Sequence, residues 1–142
     1  MTDSQPNAPF SAERIDMLRQ AARDAMSAAY CPYSNFAVGA ALLCSDGSIV
    51  GGCNVENASY GLTVCAERNA VFAAVAAGHV TFTAIALVTS SPTISRPCGA
   101  CRQVLAEFSP AATPIVVISE SINGEYVIET VADLLPGSFS LL

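Results

Sequence analysis

Residues 63–102 read TVCAERNAVFAAVAAGHVTFTAIALVTSSPTISRPCGACR. Thr63 is a candidate cap for a helix running from about Val64 to Ala77, with Gly78 at its end. Ala84 to Thr89 is a short β-rich run, and a further helix starts near Pro97-Cys98 and stops before Pro110. Helix, strand and helix in succession call for a sheet with helices on its faces.

The flanking segments extend this pattern. After a polar arm over residues 1–10, Ser11 is a candidate N-cap with Glu13 in the first turn. Ile15, Leu18, Ala22, Met26 and Ala29 then recur at helical spacing until Cys31-Pro32 closes the segment. Phe36 to Cys44 and Ile49 to Val55 flank Ser45-Asp46-Gly47-Ser48, a hairpin signal. Ile115 to Ile118 and Tyr126 to Thr130 are further strands, and Val131 to Leu135 is a last helical turn. The predicted order is α-β-β-α-β-α-β-β-α, a mixed sheet in one domain over residues 11–142.

Composition narrows the function classes. The chain has 142 residues and a formal net charge of −6, with six Arg and no Lys. Binding along phosphates needs clustered basic residues, so nucleic acid and anionic membranes are not expected partners. Arg14, Arg19 and Arg23 sit beside Glu13, Asp16 and Asp24, which reads as a solvated helix face. The charged fraction is 13%, about half of what is usual, and self-association would account for it. The 27 positions between Arg68 and Arg96 are uncharged, but Gly78-His79 and Thr89-Ser90-Ser91-Pro92 break them, so no membrane span is expected. The first ten residues lack the basic and apolar regions of an export signal. A cytoplasmic location is therefore expected, and the six cysteines are read as reduced thiols or metal ligands.

Chemistry concentrates in two clusters, Cys65-Ala66-Glu67-Arg68 and Pro97-Cys98-Gly99-Ala100-Cys101-Arg102, each at a predicted helix start. Unpaired N–H groups there favour anions and lower a thiol's pKa, and the thiolate is the metal ligand. Cys98 and Cys101 have the spacing of a zinc knuckle, with Cys65 brought in as a third ligand by folding. Three thiolates leave the fourth position open, the mark of a catalytic zinc. Glu67 at the helix tip is placed to act as general base, and Arg68 to offset the charge on the sulfurs. Two other readings stand beside this one: a Cys-x-x-Cys redox pair, which leaves Cys65 and Glu67 unexplained, and a four-Cys structural site, which needs Cys31, Cys44 or Cys53. Cys44 and Cys53 read as small core residues. His79, the only histidine, follows Gly78 and reads as a helix-end residue.

Cys-Ala-Glu followed by Pro-Cys-x-x-Cys resembles the zinc deaminase signature, with Cys in place of its usual His. Tyr33-Ser34-Asn35-Phe36-Ala37-Val38-Gly39-Ala40-Ala41, Asn54-Val55-Glu56-Asn57 and Leu134-Leu135-Pro136-Gly137-Ser138-Phe139 narrow the resemblance to the short cytidine deaminases. That resemblance implies a three-layer α/β/α sandwich with a five-stranded mixed sheet and assembly as a homotetramer. It implies one Zn²⁺ per chain on Cys65, Cys98 and Cys101, and hydrolytic deamination of cytidine and 2′-deoxycytidine with Glu67 shuttling protons. Phe36 would stack on the pyrimidine. Asn54 and Glu56 would hold the ribose 3′-hydroxyl, and the Ala66 backbone would read the base edge with Glu67. Ala58, Tyr60 and Phe139 would reach a neighbouring subunit's site, and Arg68 would bond the zinc thiolates. A deaminase of a nucleoside antibiotic such as blasticidin S is the nearest alternative, and a zinc-binding interaction module the alternative from another class.

Overall fold

The computed structural model describes residues 10–142; of the arm expected over residues 1–10, all but Phe10 lies outside them. The elements are α1 (Ala12–Met26), β1 (Val38–Cys44), β2 (Ile49–Cys53), α2 (Ala66–Ala76), β3 (Phe82–Thr89), α3 (Gly99–Glu107), β4 (Val116–Glu120), β5 (Tyr126–Thr130) and α4 (Val131–Leu134). Their order matches the predicted one, with an additional 3-10 turn at Tyr60–Leu62. The strands form one sheet in the order β2-β1-β3-β4-β5. Only the β3–β4 pair is parallel, with Ala84 opposite Val116, and α3 makes the crossover between those two strands.

Two apolar layers hold the helices to the sheet. On one face Ile15, Leu18 and Ala22 of α1 pack on Ala41, Leu43, Ala86 and Ile118, and Phe10, assigned above to the arm, joins them. On the other face Ala70, Val71 and Ala74 of α2, Leu105 of α3, and Val131 and Leu134 of α4 cover Leu42, Ile85, Leu87 and Val117. The result is the three-layer α/β/α sandwich. Because β1 lies between both layers, all seven of its residues are buried. Small residues on β1 and β2 let the helices come close: a Cβ on Gly39 would lie 2.1 Å from Ala22 O of α1, and one on Gly52 would lie 2.5 Å from Ala70 N of α2.

Several element limits differ from the sequence reading, for local reasons. The first helix begins where expected, with Ser11 accepting from Arg14 N at 3.1 Å, but it ends at Ser27, whose hydroxyl bonds Asp24 O at 2.7 Å. Strand β1 begins at Val38 rather than Phe36, because Asn35 takes φ +57° and turns the chain. Thr63 does not cap α2. The N-cap is Cys65, and Thr63 Oγ1 instead accepts from Asn57 N at 3.2 Å.

The solvated face expected for Arg14, Arg19 and Arg23 holds only for Arg14. Arg19 and Arg23 both pair with Glu120, which is 1% exposed at the end of β4. Arg19 also donates to Gly124 O at 3.0 Å and lies 4.0 Å over the Tyr126 ring. A carboxylate that far from water needs charged donors, and α1 supplies them across the sheet.

Candidate active site

The two helices that open with cysteine converge. Cys65 is the N-cap of α2 and Cys98 the N-cap of α3, and neither side chain makes the capping hydrogen bond that Ser, Thr, Asp or Asn would make there. The unpaired N–H ends of both helices thus face the sulfurs. Cys101 lies one turn into α3, which returns its side chain to the face of Cys98. Cys65 Sγ and Cys98 Sγ are 3.8 Å apart, and Cys98 Sγ and Cys101 Sγ 3.5 Å. These distances are far beyond a disulfide and close to the edge of a tetrahedron of sulfurs about 2.3 Å from a zinc, roughly 3.8 Å.

Charge at the trio favours a cation. Hydrogen bonding from Cys101 and, against the cost of burial, from Arg68 and Cys98 holds the Cys65 thiol down at about 5. Arg68 Nη2 lies 3.3 Å from Cys65 Sγ. Cys101 is pushed far up, first by its hydrogen bond to Cys65 and then by burial. Negative charge on one sulfur opposes ionisation of its neighbour, and a divalent ion among the three would let all of them ionise. Donor set, spacing and helix ends all fit zinc. The redox-pair and four-Cys readings do not describe the cluster: three sulfurs meet, and none of Cys31, Cys44 and Cys53 is grouped with them.

Glu67, in the first turn of α2, is 4% exposed and forms no ion pair among the described residues. Burial pushes its carboxyl up to about 7, and the nearby Cys65 thiolate adds to that, although its own backbone N–H and Arg68 pull the other way. A carboxyl poised there can both take and give a proton near neutral pH. Ala66 beside it is fully buried.

The second part of the site is a braced loop. Phe36 is partly exposed, between Asn35 in its left-handed conformation and the start of β1. Asn54 Oδ1 accepts from Val38 N at 2.9 Å while its Nδ2 donates to Phe36 O at 2.7 Å. Glu56 accepts from Tyr33 N at 3.0 Å, from Ser34 N at 3.2 Å and from the Ser34 hydroxyl, which itself accepts from Phe36 N at 3.0 Å. The Ser34 hydroxyl, with the two backbone N–H groups, holds the Glu56 carboxyl below its ordinary range despite some desolvation. This loop supplies Glu56 with three donors from within the chain. Ser34 was missed as a functional residue; a serine two residues before Phe36 is the pattern of a side-chain-stapled turn.

Three expected site residues lie apart. Ala58 and Tyr60 are on an exposed loop, Tyr60 at 75% exposure with its ring 6.1 Å from Tyr33. Phe139, 71% exposed, lines a cleft with Glu107 and Phe108 at the C-terminal end of α3. The cysteines are at the other end of that nine-residue helix, roughly 13 Å away.

The segment from α1 to β4, which carries the three cysteines and Glu67, has counterparts among known proteins. The family described as "Cytidine and deoxycytidylate deaminase zinc-binding region" matches residues 12–118. The chain belongs to that family. Among relatives of this deaminase-family chain, the cytidine deaminase of Halalkalibacterium halodurans is 50% identical over 124 residues, spanning 87% of this chain and 92% of that protein. The cytidine deaminase of Sporosarcina psychrophila is 47% identical over 126 residues, spanning 89% and 91%. The crystal structure of cytidine deaminase from Burkholderia pseudomallei superimposes with a TM-score of 0.83 at 45% identity, covering 92% of this chain and all of that one. The five-stranded sheet with its flanking helices is therefore the fold of these deaminases, and the family's zinc-binding region contains all three cysteines.

Proposed function

We propose that this chain catalyses zinc-dependent hydrolytic deamination of cytidine and 2′-deoxycytidine, releasing uridine or 2′-deoxyuridine and ammonia. The observation that carries the proposal is the placement of a buried, proton-competent Glu67 two residues from a sulfur of the three-cysteine cluster. Cys65, Cys98 and Cys101 would hold the zinc. Bound there, the metal would supply the Lewis acidity that lowers the pKa of a water.

The chain's own groups do the rest. Glu67 takes a proton from the attacking water and delivers it to N3 of the cytosine ring, which makes C4 electrophilic. It then passes the remaining hydroxyl proton to the amino nitrogen, which leaves as ammonia. One carboxylate makes both transfers, as a pKa near neutrality permits. The Ala66 backbone, at the start of α2, faces the base edge. Phe36 stacks on the ring, and the brace from Asn54, Ser34 and Glu56 keeps that aromatic in place while the two acidic and amide side chains meet the ribose 3′-hydroxyl. Arg68 stabilises the sulfurs.

Residues 11–142 act as one catalytic domain, in a homotetramer in the cytoplasm. Support for assembly comes from the exposure of the Tyr60 and Phe139 rings, the latter lining a cleft at the end of α3 opposite the cysteines. Among the described residues no helix is long and apolar enough to cross a membrane.

The test is ammonia release from cytidine, 2′-deoxycytidine, CMP and blasticidin S by zinc-replete protein, beside Glu67→Gln. Turnover of the two nucleosides is expected, with Glu67→Gln retaining one zinc at the three-cysteine site and losing about 10²–10⁴-fold in kcat. Absence of turnover of either nucleoside, or near-native activity in the variant, defeats the reading.

A further inference from the structure

The two ends of α2 carry different chemistry. Cys65 and Glu67 lie at its N-terminal tip, and the 11-residue helix places its other end about 16 Å away. There Gly78, at φ +97°, turns the chain, Gly78 N donates to Val75 O at 3.0 Å, and His79 N donates to Ala74 O at 2.9 Å. This closure fixes the backbone of the only histidine. Facing it is the β1–β2 turn, in which Cys44 N donates to Ser48 O at 2.8 Å and Gly47 N to Cys44 O at 3.0 Å. Ser45 N donates to Thr81 O at 2.9 Å, which docks the turn onto the segment just beyond His79.

That docking gathers Cys44 Sγ, an Asp46 carboxylate oxygen and a His79 ring nitrogen within 4.8 Å of one another. The carboxylate is oriented: Asp46 Oδ1 accepts from Ser48 N at 2.9 Å and from the Ser48 hydroxyl. Oδ2 is left 3.7 Å from His79 Nδ1. The gap is too long for a hydrogen bond. It lies a few tenths of an ångström beyond the separation, roughly 3.3–3.4 Å, of an oxygen and a nitrogen that each bind one tetrahedral zinc at about 2.0–2.1 Å. Cys44 walls the inner side of the cluster, His79 is half-buried and Asp46 is exposed, so an ion has a path in past Asp46 and water can complete its shell.

We propose that Cys44, Asp46 and His79 form a second metal site, for a divalent cation of the zinc class, that ties the β1–β2 turn to the end of α2. Thiolate, imidazole and carboxylate together suit zinc, cobalt or nickel, and the sulfur and nitrogen donors disfavour magnesium and calcium. The Ser48 contacts to Asp46 are the outer-shell support that such sites use to orient a ligand.

The experiment uses protein already carrying the zinc of the three-cysteine site, brought to equilibrium by dialysis against micromolar Zn²⁺. Metal per chain is measured for the unaltered protein, His79→Ala, Asp46→Asn and Ser48→Ala. The expected result is two zinc ions per chain in the unaltered protein, one in His79→Ala and Asp46→Asn, and about 10-fold weaker binding of the second ion in Ser48→Ala. Co²⁺ added as the probe should give a sulfur-to-cobalt charge-transfer absorption that His79→Ala lacks. His79 and Asp46 are at the surface, so neither variant depends on rebuilding the core. One zinc per chain in the unaltered protein overturns the proposal, as does a second zinc retained by both His79→Ala and Asp46→Asn. The readout is stoichiometry, so it stands apart from the reaction at Glu67.

Discussion

Gly52→Ala adds one methyl group, and it should disable the enzyme from the far side of a helix. The new Cβ would lie 2.5 Å from Ala70 N, 2.6 Å from Ala66 O and 2.9 Å from Ala70 Cα. All three are backbone atoms of α2, so no side-chain rotation relieves the overlap. Ordinary contact begins near 3.4 Å, and α2 must therefore retreat from β2 by about 0.9 Å. The same first turn carries Cys65 and Glu67. Metal sites tolerate displacements of about 0.2 Å, and a misplacement of about 1 Å at a reacting group costs on the order of 10²-fold in rate. Overpacking should also cost about 1–3 kcal/mol of stability. Purified Gly52→Ala would be assayed for kcat/KM on cytidine, for zinc per chain and for urea unfolding, with Gly61→Ala as the control, since a Cβ on Gly61 meets nothing within 4 Å. Native kcat/KM and an unchanged unfolding midpoint in Gly52→Ala would refute the close approach of α2 to β2 as the device that positions the site.

Other expectations follow from contacts already described. Glu120→Ala removes the partner that Arg19 and Arg23 share and should lower stability by about 2 kcal/mol, read as a shift in the urea midpoint at constant slope; a loss under about 0.5 kcal/mol contradicts the buried pairing. Ser34→Ala removes the link between Glu56 and Phe36 N, so KM for cytidine should rise about 5-fold with kcat nearly unchanged, and a change confined to kcat would count against the brace. Phe139→Ala should lower kcat/KM about 10-fold with zinc content intact, and mixed assemblies of Phe139→Ala and Glu67→Gln chains should regain activity if the ring serves a neighbour; mixtures no more active than their components would remove that role.

Much of the fold was readable because periodicity and breakers agreed. Ile15, Leu18 and Ala22 repeat at helical spacing and face the sheet, and Asp46-Gly47 turns the hairpin where Asp-Gly should. The three-cysteine cluster was legible for a chemical reason: cysteines at predicted helix starts serve poorly as caps and well as metal ligands. What escaped depends on long-range contacts that local pattern does not encode. Thr63 has the right chemistry for an N-cap, but Asn57, across the 3-10 turn, claims its hydroxyl. Arg19 and Arg23 sit among acidic neighbours on α1, and nothing in that segment points to Glu120, about a hundred residues on. Glu56 is held by backbone groups of Tyr33 and Ser34 and by the Ser34 hydroxyl, partners that composition does not display.

The cysteines at the N-caps of α2 and α3 set the catalyst against its own scaffold. Serine in place of Cys65 or Cys98 would be a better partner for the free N–H groups of either helix, and a single base change separates a cysteine codon from a serine codon. Such a change would strengthen the metal-free chain while abolishing a ligand. Laboratory evolution for heat resistance alone would therefore drift toward an inactive protein, and selection for robustness must be coupled to turnover if the chemistry is to survive.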